Sequence, residues 1–158
     1  MNILRSARYT PVITPHPGEM SRLTGLSAGQ VQSNRLDVAI KNARLWECII
    51  ILKGLNTVVA TPGGKVGINP TGSQTLATAG TGDLLTGMVT SFIAQGMANS
   101  DAARAAAFTH GLAGDLVPEG RGHMTRDILN RYKEAFQYLF ACDSNFNGNP
   151  YLKRVRPV

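Results

Sequence analysis

Gly80-Thr81-Gly82-Asp83 leads directly into an apolar helical pattern, and this is the strongest chemical signal in the sequence. Glycines let backbone N–H groups approach a phosphate closely, and the helix that follows adds unpaired donors and the positive end of its dipole. Such a loop is an anion hole for a phosphoryl group in transit. Asp83, in the last position, is placed to take a proton from an attacking hydroxyl. Taken alone, the loop reads equally as a glycine-rich turn whose Asp83 favours a helix N-terminus. A second constellation is Thr14-Pro15-His16-Pro17-Gly18-Glu19, where two prolines stiffen the backbone around a histidine. Its position at a strand's end is where parallel sheets bind ligands, although a lone His is more often structural. The third is Lys53-Gly54-Leu55-Asn56-Thr57, directly after an apolar strand. A Lys there meets phosphate charge and Gly54 allows close approach; a plain strand-to-hairpin turn is the competing reading.

The elements that must position these residues form an α/β pattern. Pro11-Val12-Ile13-Thr14 predicts a short strand stopped by Pro15 and Pro17, and Gly18-Glu19-Met20 opens a short helix ending near Gly25. Ser27 is the expected N-cap of one longer helix through about Glu47, with an apolar stripe of Val31, Val38 and Leu45 flanked by Ala39, Ala43 and Trp46. Cys48 to Leu52 carries no polar residue, as in a strand buried on both faces, and Cys48 reads as a buried reduced thiol. Thr57–Ala60 and Lys65–Ile68 flank Thr61-Pro62-Gly63-Gly64, a hairpin signature. From Asp83 the pattern turns helical, with Leu84, Leu85, Met88, Val89, Phe92 and Ile93 on one face as far as Gly96. An alanine-rich helix follows from Ser100-Asp101 to about Leu116, its small residues suited to close packing. A last amphipathic helix from Thr125 to about Ala141 carries Ile128, Leu129, Tyr132, Phe136, Leu139 and Phe140. Residues 142–158 read as an extended basic tail. Only two core strands precede the hairpin, too few for a stable parallel sheet, so either the protein oligomerises or the first half of a domain is missing.

Thr-Pro-His-Pro-Gly-Glu, then Leu-Lys-Gly-x-x-Thr, then Ala-Thr-x-Gly-Thr-Gly-Asp-x-Leu-Thr-Gly, in this order, closely resemble the NAD(P)H-hydrate dehydratase family. His110-Gly-Leu-Ala-Gly-Asp115 also resembles that family's next helix, and the resemblance covers roughly Met1 to Ala141. It implies a ribokinase-like three-layer α/β/α fold and an ADP-dependent repair reaction. ADP (or ATP) phosphorylates the hydroxyl of the hydrated nicotinamide ring, and phosphate, a far better leaving group than hydroxide, departs to restore NADH or NADPH. By the resemblance Asp83 is the base contacting the hydrate, and His16 also lines that substrate's site. Lys53, Gly54, Leu55, Asn56 and Thr57, with Gly82, hold the adenine nucleotide; Gly80 and Thr81 supply anion-hole amides. Mg2+ is expected with the nucleotide, with no ligand assigned.

Two local departures stand out. Ala79 takes the place of a second glycine, which costs on the order of 1 kcal/mol if that position needs positive φ. Thr71-Gly72-Ser73-Gln74 also departs from the usual Gly-Asn-Pro form. The larger departure is length: Met1-Asn2-Ile3-Leu4 resembles a segment from the middle of the family's domain, so the chain is read as truncated at its N-terminus. Self-association through an exposed sheet edge is expected. The competing functional readings are an inactive remnant that binds nucleotide or only oligomerises, and a ribokinase-like kinase of a vitamin precursor.

Composition bounds the rest. A chain of 158 residues, 43% hydrophobic and 16% charged, can bury one sizeable core. Its net charge of +6 suits anionic partners, yet no dense basic block precedes Lys153-Arg154-Val155-Arg156, so nucleic-acid binding is not expected. Cys48 and Cys142 lack metal-like spacing. No signal peptide and no membrane span is recognisable, and a cytoplasmic location is the default expectation.

Overall fold

The computed structural model describes residues 2–142. After a four-residue helix α1 (Asn2–Arg5), the elements run β1 (Val12–Ile13), α2 (Pro17–Thr24), α3 (Ala28–Ser33), α4 (Arg35–Trp46), β2 (Ile49–Leu52), β3 (Val58–Ala60) and β4 (Val66–Ile68). A short 3-10 turn (Gln74–Ala77) then leads into α5 (Thr81–Ala94), α6 (Asn99–Asp115) and α7 (Thr125–Cys142). One sheet holds the strands in order β1-β2-β3-β4. β1 and β2 are parallel, Val12 opposite Ile49, whereas β2, β3 and β4 meander antiparallel, with Ile51 opposite Val59 and Val59 opposite Gly67.

β2 has no polar residue because both its faces are covered. Ile50 and Leu52 point into a core closed by Met20, Val31, Val38, Ala43 and Trp46 from α2, α3 and α4. Ile49 and Ile51 point the other way, against Leu85, Met88 and Val89 of α5 and Ala103, Ala106 and Ala107 of α6. Period-two alternation thus divides one strand between two cores, and the result is helix, sheet, helix in three layers. The alanines let α6 lie close to both the sheet and its neighbours α5 and α7. Cys48 is fully buried, which pushes its thiol up to about 11 and keeps it unreactive.

The structure corrects the sequence reading in three places. The expected single helix from Ser27 to Glu47 is two, broken at Asn34 (φ −131°, ψ 36°). Ser27 does cap α3, exchanging bonds with Gln30 in a capping box, but Ser33 Oγ donates to Gly29 O at 2.9 Å and Asn34 Nδ2 to Gln30 O at 3.3 Å. These side chains compete with the ladder and stop it. Because α4 starts afresh, the stripe set by Val31 does not carry through, and Leu45 is 52% exposed while Ala39, Ala43 and Trp46 are buried. On α7, Leu129 and Phe140, expected on the apolar face, turn outward; α6 is met instead by Ile128, Tyr132, Ala135 and Leu139. Helix α5 begins at Thr81 rather than Asp83, so the chemical loop is already its first turn. The expected tail lies, but for the end of α7, outside the described residues.

Truncating Ile51, which is fully buried between the sheet and α5–α6, is expected to lower the unfolding free energy by about 2–5 kcal/mol. The urea midpoint of Ile51→Ala against the unmutated chain measures it.

Candidate functional site

The ends of β1 and β2 lie side by side, and the chain leaves both toward the same cleft. Lys53 N donates to Pro15 O at 2.9 Å, which holds the two departing segments together past the last ladder pair. After Pro15 the chain turns into α2, and His16 is its N-cap. The ring's Nδ1 accepts from the amides of Gly18 (3.0 Å) and Glu19 (3.2 Å), while the Glu19 carboxylate returns a bond to His16 N at 2.6 Å. This is a capping box with a histidine in the place usual for Ser or Thr. An Nδ1 that accepts two amides carries no proton, so the neutral ring bears its proton on Nε2, 3.5 Å from Glu19 Oε1.

The phosphate-type loop is held from several sides. Gly80 is left-handed (φ 89°), a conformation that excludes most other residues, and its neighbour Ala79 is not left-handed, so alanine there carries no strain. Thr81 is buried and its hydroxyl donates to Leu76 O and Thr78 O, at 2.8 and 2.9 Å. The Thr81 and Asp83 amides turn back to Thr78 O and Gly80 O, whereas Gly82 N–H has no acceptor among the described residues. From α7, Thr125 Oγ1 donates to Ala79 O at 2.6 Å and props the loop from behind. Thr14 joins it to β1: its hydroxyl lies 3.2 Å from that of Thr86, which itself donates to Gly82 O at 3.0 Å. Asp83 is exposed on the cleft side.

Lys53 reaches the same loop. Its ammonium is only one-quarter exposed, lies 3.6 Å from Glu19 Oε2, and is so close to Gly82 that a Cβ there would come within 2.9 Å of Nζ. Behind Lys53, Thr57 Oγ1 donates to Gly54 O at 3.0 Å, and the Arg35 guanidinium covers Gly54 and donates to Leu52 O at 2.9 Å. Burial alone would raise the Glu19 carboxyl, but the His16 amide bond and then the charge of Lys53 hold it below the usual carboxylate range.

A third wall comes from α6. Gly111 has no room for a Cβ, because Thr71 lies against it, and Thr71 Oγ1 donates to Phe108 O at 2.9 Å. Asp115 Oδ2 accepts the Gly72 amide at 3.0 Å, and Asn69 Nδ2 donates to Ala107 O at 3.0 Å, so residues 69–72 are fastened to the helix. Between them His110 is buried, with Nδ1 2.8 Å from the Tyr132 hydroxyl. Burial, with the Lys53 charge adding to it, pushes the imidazole down to about 4.

His16, Lys53, Gly54, Leu55, Thr57, Gly80, Thr81, Gly82 and Asp83 all line one open cleft of about 1850 Å3. Asn56 does not; it is a left-handed residue (φ 54°) whose carbonyl faces Arg35 at 3.5 Å. The Thr81 amide turns back to Thr78 O, whereas the Gly80 N–H, like that of Gly82, has no acceptor among the described residues. Sequence reasoning passes over Arg35 and gives no site role to Thr14, Thr86, Thr125 or Tyr132, because their partners are distant in sequence and pairing leaves no local signature. No group of three or more His, Cys, Asp and Glu that could hold a metal occurs among the described residues. The arrangement suits an anion: the amides of Gly80 and Gly82 without acceptors among the described residues, one ammonium, no side chain at Gly82, and a carboxylate one residue on.

A family model described as NAD(P)H-hydrate dehydratase matches residues 3–134. The chain is 48% identical over 122 residues to a bifunctional NAD(P)H-hydrate repair enzyme of Moorella thermoacetica, covering 75% of this chain and 23% of that protein. It is 37% identical over 137 residues to the ADP-dependent (S)-NAD(P)H-hydrate dehydratase of Bacillus subtilis, covering 82% and 50%. A crystal structure of the ADP/ATP-dependent dehydratase from Bacillus subtilis, co-crystallised with ATP and Mg2+, superposes with a TM-score of 0.77 at 32% identity, over 80% of this chain and 47% of that one. The chain therefore spans about half the length of the single-function relative and about a quarter of the bifunctional one. The expected ribokinase-like α/β fold is the fold of its solved neighbours.

With His110 held neutral to about 4, the unfolded chain binds a proton below about pH 6.5 that the folded chain refuses. Stability is therefore full above about 6.5 and declines as pH falls toward 4, by up to about 3 kcal/mol from this residue. Denaturant midpoints measured between pH 4 and 7.5 are expected to show that decline, and His110→Gln to flatten it.

Proposed function

This chain belongs to the NAD(P)H-hydrate dehydratase family, and from that membership we propose that it carries the phosphoryl-transfer site of an ADP-dependent NAD(P)H-hydrate dehydratase, a lyase that repairs hydrated nicotinamide cofactors. The observation that carries this reading is the convergence of the free Gly82 amide, the Lys53 ammonium and the Asp83 carboxylate on one cleft that His16 also lines. The Bacillus subtilis relatives, named for ADP and co-crystallised with ATP and Mg2+, support an adenine nucleotide as phosphoryl donor.

In this reading Asp83 accepts the proton of the ring hydroxyl as its oxygen attacks the terminal phosphoryl group. The Gly82 amide and Lys53 ammonium stabilise charge developing on that group, in a loop that needs no rearrangement to do so. His16 lines the same cleft on the side of the hydrated ring, its orientation fixed by the Gly18 and Glu19 amides. Loss of phosphate from the ring carbon, with a proton from the neighbouring carbon, restores the double bond of the reduced nicotinamide. Gly54, Leu55 and Thr57 hold the nucleotide beyond Lys53, and Asn56 serves that loop through its backbone turn. A magnesium ion would supply charge neutralisation between the phosphates, and with no protein cage of acidic residues among those described, it would come with the nucleotide. Residues 1–141 act in this reading as part of one ribokinase-like domain. The cytoplasm is the compartment that goes with it; among the described residues no helix is long and apolar enough to cross a membrane. Self-association is part of the proposal, since β1 stands at an edge of the sheet formed by the described residues.

The test is recovery of reduced-nicotinamide absorbance from hydrated NADH with ADP and, separately, ATP. Turnover in the unmutated chain, with a loss of about 10²–10⁴-fold in Asp83→Ala, is the expected result. Full activity in Asp83→Ala would sink the mechanism. Nucleotide binding without turnover identifies a remnant that binds only, and ADP release from ATP on a vitamin alcohol identifies a kinase. Light scattering decides self-association, a monodisperse monomer counting against it.

A further inference from the structure

Glu19 touches both sides of the cleft and has no part in the chemistry above. Its Oε2 accepts the His16 amide at 2.6 Å and stands 3.6 Å from Lys53 Nζ, and its Oε1 stands 3.5 Å from His16 Nε2. The same Lys53 ammonium lies against Gly82, whose amide has no acceptor among the described residues. A phosphoryl oxygen bound at that amide would therefore sit within reach of Lys53. Two anions would then share one cation. The carboxylate is nearly half exposed, and ion pairs of that exposure are weak and readily exchanged. His16 cannot exchange in the same way, because its Nδ1 is committed to the Gly18 and Glu19 amides and its proton stays on Nε2.

We propose that Glu19 is a positioning residue whose carboxylate holds the Lys53 ammonium at the mouth of the phosphate loop until a phosphoryl group displaces it, leaving the carboxylate to His16 Nε2–H. Only the nature of the phosphoryl donor rests on the function proposed above; the pairing is a property of the free chain. The device preorganises a long flexible side chain without a ligand, and it links arrival of phosphate to the orientation of the histidine facing the other substrate.

Two arms test it, each after far-ultraviolet circular dichroism has shown the variant folded. In the first, the Glu19 side-chain carboxyl is titrated by carbon-13 NMR in the free chain, where the Lys53 ammonium and the titratable His16 ring face it. Lys53→Met is expected to raise the midpoint toward the ordinary carboxylate value, and an unchanged midpoint overturns the pairing. In the second, Glu19→Gln keeps an oxygen to cap His16 N but loses the charge that competes with phosphate. Calorimetric affinity for ADP with Mg2+ is expected to rise about two- to fivefold, the equivalent of one exposed ion pair, and turnover to fall as His16 loses its acceptor. Tighter binding with slower turnover is not the signature of general damage. Affinity equal to or weaker than that of the unmutated chain overturns the exchange. If the unmutated chain binds no ADP, the functional reading fails, while the Glu19 midpoint still decides the pairing by its shift.

Discussion

Four consecutive apolar side chains in β2 alternate between two cores, and neither core closes without them. That arrangement forbids any polar residue from Ile49 to Leu52, so the first position able to carry a charge is the one just beyond, Lys53. Its amide is already spoken for by Pro15 O, which aligns the exit of β1 with that of β2. The ammonium and the histidine therefore emerge at one end of the sheet because the strand between the cores leaves them nowhere else to be. Charge at the carboxyl ends of buried strands follows from burial cost, and the ligand site at such ends follows from charge.

The loop at Gly80 is stiffened by groups that do no chemistry. Buried Thr81 bonds two carbonyls of the preceding turn, Thr125 bonds Ala79 from another helix, and the Thr14–Thr86 contact ties the loop to β1. Among the described residues the amides of Gly80 and Gly82 are left without acceptors, the second beside an ammonium. An exposed, unsatisfied donor on a rigid frame is the condition under which electrostatic stabilisation is strongest, since no reorganisation is needed when charge develops.

The three motifs are legible in the sequence because each is local: two prolines around His16, Lys53 after an apolar run, two glycines before Asp83. The hairpin is legible for the same reason, through Pro62, Gly63 and Gly64. What joins the motifs is not legible. The break at Asn34 depends on side chains competing for carbonyls, which hydrophobic period does not register. Thr14 and Thr86 each stand inside a motif, but they are 72 residues apart and nothing in either motif marks them as partners. Thr81 looks like a donor from sequence, yet its amide turns back to Thr78 O and its hydroxyl to Leu76 O and Thr78 O, bonds that only backbone geometry reveals.

Lys53 is the group on which the three walls converge. Its charge helps keep His110 neutral on α6, holds the Glu19 carboxyl low on α2, and stands over Gly82 on α5. A neutral imidazole behind the ammonium leaves Lys53 as the cation set between two carboxylates, Glu19 on α2 and Asp83 on the loop. A second lysine in place of His110 would add a competing charge, whereas a buried histidine bonded to Tyr132 fills the space, contributes none, and leaves one cation to face the loop amides.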